Sequence, residues 1–283
     1  MSFNSQEYGE YTGAPITLLR FESEAISAPI LYTDIAFPVT HSGEVYMPLP
    51  VKVGSFTASE TLDKASLELV VPTDSQVPML FRYYPLGGTV SLTMLYGHDG
   101  DPAGEFLAIW SGRVRQVAHQ DDAGTATLSC EPVSTSLQRP GLRRNYQRLC
   151  PHVLYGDKCK ANKTAHTILA TVVSVRGDQI TVQGQLPGAA SYKGGMVEWT
   201  RRQAGQIPLR DLRMVTDMFV TATTTQIKAM GAVLGLVAGD QVKLSHGCTH
   251  GLDVCTNLFN NAPNYGGMPW IPTDNPMSGG SIY

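Results

Sequence analysis

Four of the five cysteines fall into two pairs, Cys150 with Cys159 and Cys248 with Cys255. The gaps within the pairs are eight and six residues, and 88 residues lie between the pairs. Thiolates bind soft metals and iron–sulfur clusters, and both pairs sit among polar, turn-forming residues, so the simplest chemistry is one four-thiolate metal site. Distance along the chain is no obstacle. Lengthening a closing loop from roughly 20 to 88 residues adds only about 1.3 kcal/mol of closure entropy, against roughly 10–16 kcal/mol of apparent binding at a structural zinc site.

The gaps are wider than the two to four residues usual at structural zinc, which suits a larger object such as a four-iron cubane. A cluster with four cysteinates is anionic, and Arg139, Arg143, Arg144 and Arg148 lead into the first ligand. Those cations are candidates to stabilise it, Arg143, Arg144 and Arg148 above all, as are nearby backbone N–H groups. Three other readings of the thiols stay open: small buried apolar residues, disulfides in an oxidising setting, and a Cys/His zinc site drawing on His152, His246 or His250. Cys130 sits in a strand-like run and reads as core.

Other short motifs have plainer meanings. Asp99-Gly100-Asp101 resembles a calcium-loop fragment without the later Glu, and reads as a hairpin tip. Arg176-Gly177-Asp178 reads as a turn between strands. No G-x-S-x-G, H-E-x-x-H or phosphate-binding glycine loop occurs, so no catalytic residue is assigned.

The elements that must position the thiols are β-rich. With 42% apolar residues over 283 positions the chain can bury a sizeable core and suggests two domains. A net charge of −3 with 16% charged residues gives no footprint for nucleic acid or an anionic membrane surface. No run is long and apolar enough for a membrane span, no secretory signal is legible at the N-terminus, and cytosolic folding is expected, which leaves the thiols reduced.

Residues 16–21, 30–37, 45–53 and 65–71 read as strands, with strict alternation at Ser66-Leu67-Glu68-Leu69. Runs at 90–96 and 105–117 form a hairpin, and 113–119 pairs with 125–130 across Asp121-Asp122-Ala123-Gly124. A short helix fits 76–81. This first half predicts an antiparallel barrel or sandwich. After a Pro- and Arg-rich boundary near 132–148, strands return at 168–175, 180–183, 196–202, 207–216 and 242–245, a small barrel between the cysteine pairs. Residues 256–283, rich in Asn, Gly and Pro, predict no regular structure and are ordered by the metal site or a partner, or not at all.

At this point the sequence resembles a family. Cys150, Tyr155-Gly156-Asp157-Lys158-Cys159, Gly247-Cys248, Cys255, Phe259-Asn260-Asn261 and Asn264-Tyr265-Gly266-Gly267-Met268-Pro269-Trp270-Ile271-Pro272 look like the C-terminal domain of bacteriophage BR0599-type tail-tip hub proteins. That family is similar to minor tail protein L of phage lambda and to the iron–sulfur hub protein of gene transfer agents. The pattern around Tyr32-Thr33-Asp34, Gly43-Glu44-Val45-Tyr46 and Leu67-Glu68-Leu69-Val70-Val71-Pro72 resembles their hub barrel.

The resemblance implies a mainly β protein: a hub β-barrel over 1–138, a cysteine-rich iron–sulfur domain over 139–165 and 245–283, and an inserted β-barrel over 166–244. It also implies a structural [4Fe-4S] cluster on Cys150, Cys159, Cys248 and Cys255. The expected role is that of a non-enzymatic virion hub at the tip of a long non-contractile tail. Such a hub forms a homotrimeric ring between the distal tail protein and the central fibre or hub protein, and is made in the host cytoplasm. A zinc-binding interaction module and a redox-active iron–sulfur protein are the alternatives.

Overall fold

The computed structural model describes residues 6–8, 13–54, 66–82, 86–101, 104–138, 145–186, 188–201 and 207–272. The chain divides into two compact units, residues 1–139 with 202–211, and residues 140–201 with 212–283.

In the first unit the described strands form one nine-stranded sheet. The strands are β1 (Pro15–Glu22), β2 (Ile30–Thr33), β3 (Val39–His41), β4 (Glu44–Pro48), β5 (Lys52–Val53), β6 (Leu67–Pro72), β7 (Ser91–His98), β8 (Leu107–Gln120) and β9 (Thr125–Pro132). Their order is β3-β4-β2-β1-β7-β8-β9-β6-β5. The expectation here was a barrel or sandwich. Among the described residues the ladder runs from an edge at β3 to an edge at β5, and the closed ladder is found in the inserted segment instead.

Alternation explains how the sheet buries both faces. On β1, Leu19 and Phe21 enter the main core with Leu67, Leu69, Leu92 and Leu128, while Ile16 and Leu18 pack with Tyr46 on the other side. Each fully buried aliphatic or aromatic side chain contributes about 1.5–3 kcal/mol. The helix Gln76–Phe81 forms where expected, and Val77 and Leu80 on it are buried. The 14-residue β8 pairs with β7 through its first half and with β9 through its second, bulging near Arg115. Two expected strands are therefore one. The expected strand over 45–53 is instead split into β4 and β5 around the prolines at 48 and 50, which lack the N–H a ladder needs.

The second unit holds a closed six-stranded barrel in the order β10-β11-β14-β13-β12-β15. Its strands are β10 (Thr167–Arg176), β11 (Gln179–Gln183), β12 (Met196–Arg201), β13 (Leu209–Val220), β14 (Thr224–Ala229) and β15 (Gln241–Ser245). Inward positions carry Val172, Ile180, Val182, Val197, Val215, Ile227, Val242 and Leu244, all essentially fully buried. The strand β14 was not anticipated: its sequence TTQIKA is mostly polar, and only Thr225, Ile227 and Ala229 face inward. No described helix is long and apolar enough to cross a membrane.

Candidate metal centre

Barrel closure brings the remote cysteine pairs together. β10 begins at Thr167 and β15 ends at Ser245, and these residues are register partners whose hydroxyls lie 2.8 Å apart. The chain arriving from Cys159 and the chain leaving toward Cys248 therefore share one end of the barrel. The His246 N–H donates to His166 O (3.0 Å), and the Tyr155 hydroxyl donates to His246 O (2.9 Å). The junction is completed when the Cys150 N–H donates to His250 O (2.9 Å).

Close backbone packing holds the exit strand in place. Gly247 donates its N–H to Ser191 O (2.8 Å), and a Cβ at Gly247 would sit 2.1 Å from Lys193 O. Only a residue without a side chain fits one position before Cys248.

Cys159 lies in a loop whose Tyr155 and Lys160 have positive φ, with the Lys160 N–H donating to Gly156 O (2.8 Å). Cys255 is carried by the short helix Leu252–Asn257 and is buried. After that helix Asn260 takes a positive φ of 46°, and the chain folds back so that the Asn261 N–H donates to Cys255 O (2.9 Å). The Asn- and Gly-rich segment through residue 272 is thus ordered against the cysteines: the Gly266 N–H reaches Cys150 Sγ and the Met268 N–H donates to Gln147 O (2.9 Å). The remainder of that tail lies outside the described residues.

All four cysteines, with His152 and Asn261, line one small pocket. None of the five cysteines is in a disulfide. Three of the four sulfurs receive an N–H: His250 donates to Cys248 at 3.2 Å, Gly266 to Cys150 at 3.4 Å, and the Asn261 side chain to Cys159 at 3.8 Å. Such donors favour the thiolate and are the usual outer shell of thiolate-held centres. Cys255 differs, because its Sγ faces the Asn261 carbonyl oxygen at 3.3 Å and must donate a proton to make that contact.

Burial and mutual repulsion both bear on the charge state of these thiols. Burial pushes the Cys248 thiol above its ordinary value, and Cys159 and Cys150 push it further, while the His250 N–H opposes them. Burial and then the other three site cysteines raise Cys255 as well. Burial raises the Tyr155 hydroxyl, with Cys159 and Cys248 adding to the effect. Four converging thiolates repel one another, and a bound cationic centre removes that penalty while stripping the protons.

The donor set therefore fits a thiophilic centre. Among the described residues no three His, Cys, Asp or Glu are gathered tightly enough to hold a single metal ion.

The remaining candidates separate cleanly. Arg148 is exposed and does not line the pocket; its carbonyl accepts the Tyr265 hydroxyl (2.9 Å). Arg139, Arg143 and Arg144 lie outside the described residues. His250 and His152 line the pocket, while His246 stacks on Tyr192 with ring centroids 4.0 Å apart and has its Nδ1 2.7 Å from Ser191 Oγ. That pairing is structural, since the Ser191 hydroxyl also donates to Gly188 O at 2.6 Å and its proton is committed there. Cys130 is buried in β9, and burial pushes its thiol up to about 12, as suits a core residue. Gly100 and Gly177 have positive φ, at a hairpin tip and a turn as expected.

Asn261, Gly266 and Tyr265 had no assigned role in the sequence reading. Their signal was present in the dense Asn and Gly content after Cys255, which marks backbone that turns sharply and approaches closely.

Residues 190–275 match the family described as "Phage conserved hypothetical protein BR0599". The match covers β12 through the second cysteine pair and the ordered tail. No curated protein matches the chain. Among solved structures, a chain of the "Virion of native gene transfer agent (GTA) particle" superposes with a TM-score of 0.76 at 18% identity, covering 99% of this chain and 97% of that one. At that identity the likeness establishes the fold.

Proposed function

We propose that this chain, whose residues 190–275 match the BR0599 family model, is a structural hub protein of the distal tail tip, stapled by a [4Fe-4S] cluster on Cys150, Cys159, Cys248 and Cys255. The observation that carries this reading is the convergence of two thiol pairs, 88 residues apart, on one pocket where three of the sulfurs receive N–H groups. A bound cluster would supply a four-point cross-link. The chain's own residues do the rest: Tyr155, His250 and Asn261 tie the ligand segments together, Gly247 lets backbone approach closely, and Gly266 makes room for the His152 ring.

The role is that of a ring component, a homotrimer joining the distal tail protein to the central fibre or hub protein of a long non-contractile tail. The likeness over nearly the whole chain to a virion component supports this. So does the exposed apolar surface on the first unit, where Val45 and Met47 of β4 and Leu107 and Ile109 of β8 stand at roughly half exposure. Scattered exposed residues are ordinary, but pairs on one strand suit burial in an assembly. The chain is read as non-enzymatic and assembled in the host cytoplasm.

Anaerobic purification followed by iron and sulfide analysis tests the staple. Iron and sulfide in equal amounts, near four per chain, with absorbance near 400 nm, is the expected outcome. A chain that carries only zinc, or neither element, sinks the cluster. Electron microscopy of tails labelled on this chain tests the position at the tip.

A further inference from the structure

The four corners of the cysteine pocket are unequal, and a fifth donor stands beside them. Cys150, Cys159 and Cys248 each have an N–H directed at sulfur, which stabilises negative charge there. Among the described residues none reaches Cys255 Sγ. Its neighbour is the Asn261 carbonyl, and that carbonyl cannot swing aside: it also accepts the Asn264 N–H (3.1 Å), and the Asn261 N–H is tied to Cys255 O. As a thiolate, Cys255 loses its hydrogen bond and faces the negative end of a fixed dipole.

His152 has the arrangement a metal-binding imidazole needs. Its Nδ1 lies 3.2 Å from the Asn264 carbonyl, which accepts only, so Nδ1 carries the proton and Nε2 presents a lone pair. Histidine ligands are characteristically oriented by such a contact at the second nitrogen. Nε2 is buried and meets no hydrogen-bond partner among the described residues, and the ring lines the same pocket as the four sulfurs. Gly266, whose N–H serves Cys150, makes room for it, since a Cβ there would lie 2.5 Å from Nε2. A buried imidazole nitrogen left unsatisfied beside four thiols is costly unless something electrophilic occupies the space.

We propose that His152 is a reserve ligand of this centre, able to take up an iron through Nε2 when the corner held by Cys255, the weakest of the four, is open. Mixed cysteine and histidine ligation of iron–sulfur centres is chemically ordinary. The inference rests on the cluster reading given above.

The test compares the anaerobically purified full chain with Cys150→Ala, Cys159→Ala, Cys248→Ala, Cys255→Ala, His152→Gln and the double variant Cys255→Ala/His152→Gln. Iron and sulfide content and pulsed electron paramagnetic resonance of the reduced samples are read, with circular dichroism reporting the β-sheet content of each. Cys255→Ala is expected to keep most of its iron and to gain a nitrogen hyperfine coupling absent from the wild type. The double variant loses that coupling and its iron, and the other three cysteine variants fall about tenfold or more in iron, the scale of losing a metal-site contact. The inference is overturned if folded Cys255→Ala is as empty as the other three, if all four variants keep iron equally, or if it keeps iron without nitrogen coupling. A Cys255→Ala chain that does not fold overturns it as well, because a dispensable corner cannot be required for the fold. Wild type without iron overturns the cluster reading itself, a result separate from these.

Discussion

Replacing Asn261 by Ala removes a residue that touches both cysteine pairs, and the cost follows from its contacts. Its side-chain nitrogen donates to the Cys159 carbonyl and to Cys159 Sγ, and its Oδ1 accepts from Asn264 Nδ2 at 2.6 Å. Asn261 is only 8% exposed, so the groups left behind regain water incompletely. Taking about 1 kcal/mol for each neutral hydrogen bond whose partner is rehydrated, and up to about 3 kcal/mol for a partner left dry, the loss comes to about 2–4 kcal/mol. Asn261→Asp keeps the shape and the acceptor for Asn264 but turns an anionic oxygen toward the Cys159 carbonyl and sulfur. It is therefore expected to be the worse of the two. Urea denaturation of the second unit, followed by Trp199 fluorescence in the metal-free chain and by the decay of absorbance near 400 nm in the loaded one, measures both. Asn261→Ala within about 0.5 kcal/mol of wild type, the range of ordinary surface substitutions, or an Asp variant as stable as wild type would falsify the claim that this side chain ties the pairs together.

Three further outcomes follow from the same geometry. Gly247→Ala places a Cβ 2.1 Å from Lys193 O, against backbone that cannot rotate away, and is expected to lower stability by about 3 kcal/mol with loss of metal; calorimetry with metal analysis reads both. In the metal-free chain Cys248 and Cys255 have thiols raised above the ordinary 9.0. Their contribution to stability is complete below that pH and is lost as pH rises through the higher folded values, so the melting temperature should fall above pH 9.0, while acidification should instead expel the metal from the loaded chain. Neutral thiol reagents applied to the native metal-free protein should label the partly exposed Cys150 and Cys159 well before the buried Cys130, whose thiol is pushed up to about 12, as peptide mass mapping will show.

Local patterns carried the parts of this fold that depend on neighbouring residues. β6, with Leu67, Leu69 and Val71 buried and Glu68 exposed, declares its register by alternation, and the turns at Gly100, Gly124 and Gly177 declare themselves by glycine. What failed were features decided by distant partners. β14 is a strand because β11 and β13 flank it, a circumstance its own Thr, Gln and Lys do not announce. β8 reads as two strands because it changes partners midway.

At the site, residue type and spacing showed that a four-thiol centre was chemically reasonable but not that the pairs meet. The meeting depends on Thr167 pairing with Ser245 across 78 positions. His152 was legible only as one of three histidines near enough to replace a cysteine and Asn261 had no assigned part, since the contacts that fix them lie 112 and 102 positions away. Residues 256–283 predict no regular structure, yet the helix Leu252–Asn257 runs into that segment and a short 3-10 turn forms at Ala262–Asn264; through residue 272 its order comes from packing on the cysteine segments.

Because the six-stranded barrel starts and finishes at one doorway, its interior is invisible to the cysteines. The insert meets the ligand segments through its two ends, Thr167 and Ser245, and through the 191–193 turn packed on Gly247, so a module put in its place has to supply both contacts. A replacement that kept both contacts would change the surface this unit presents while leaving the cysteine pocket unchanged.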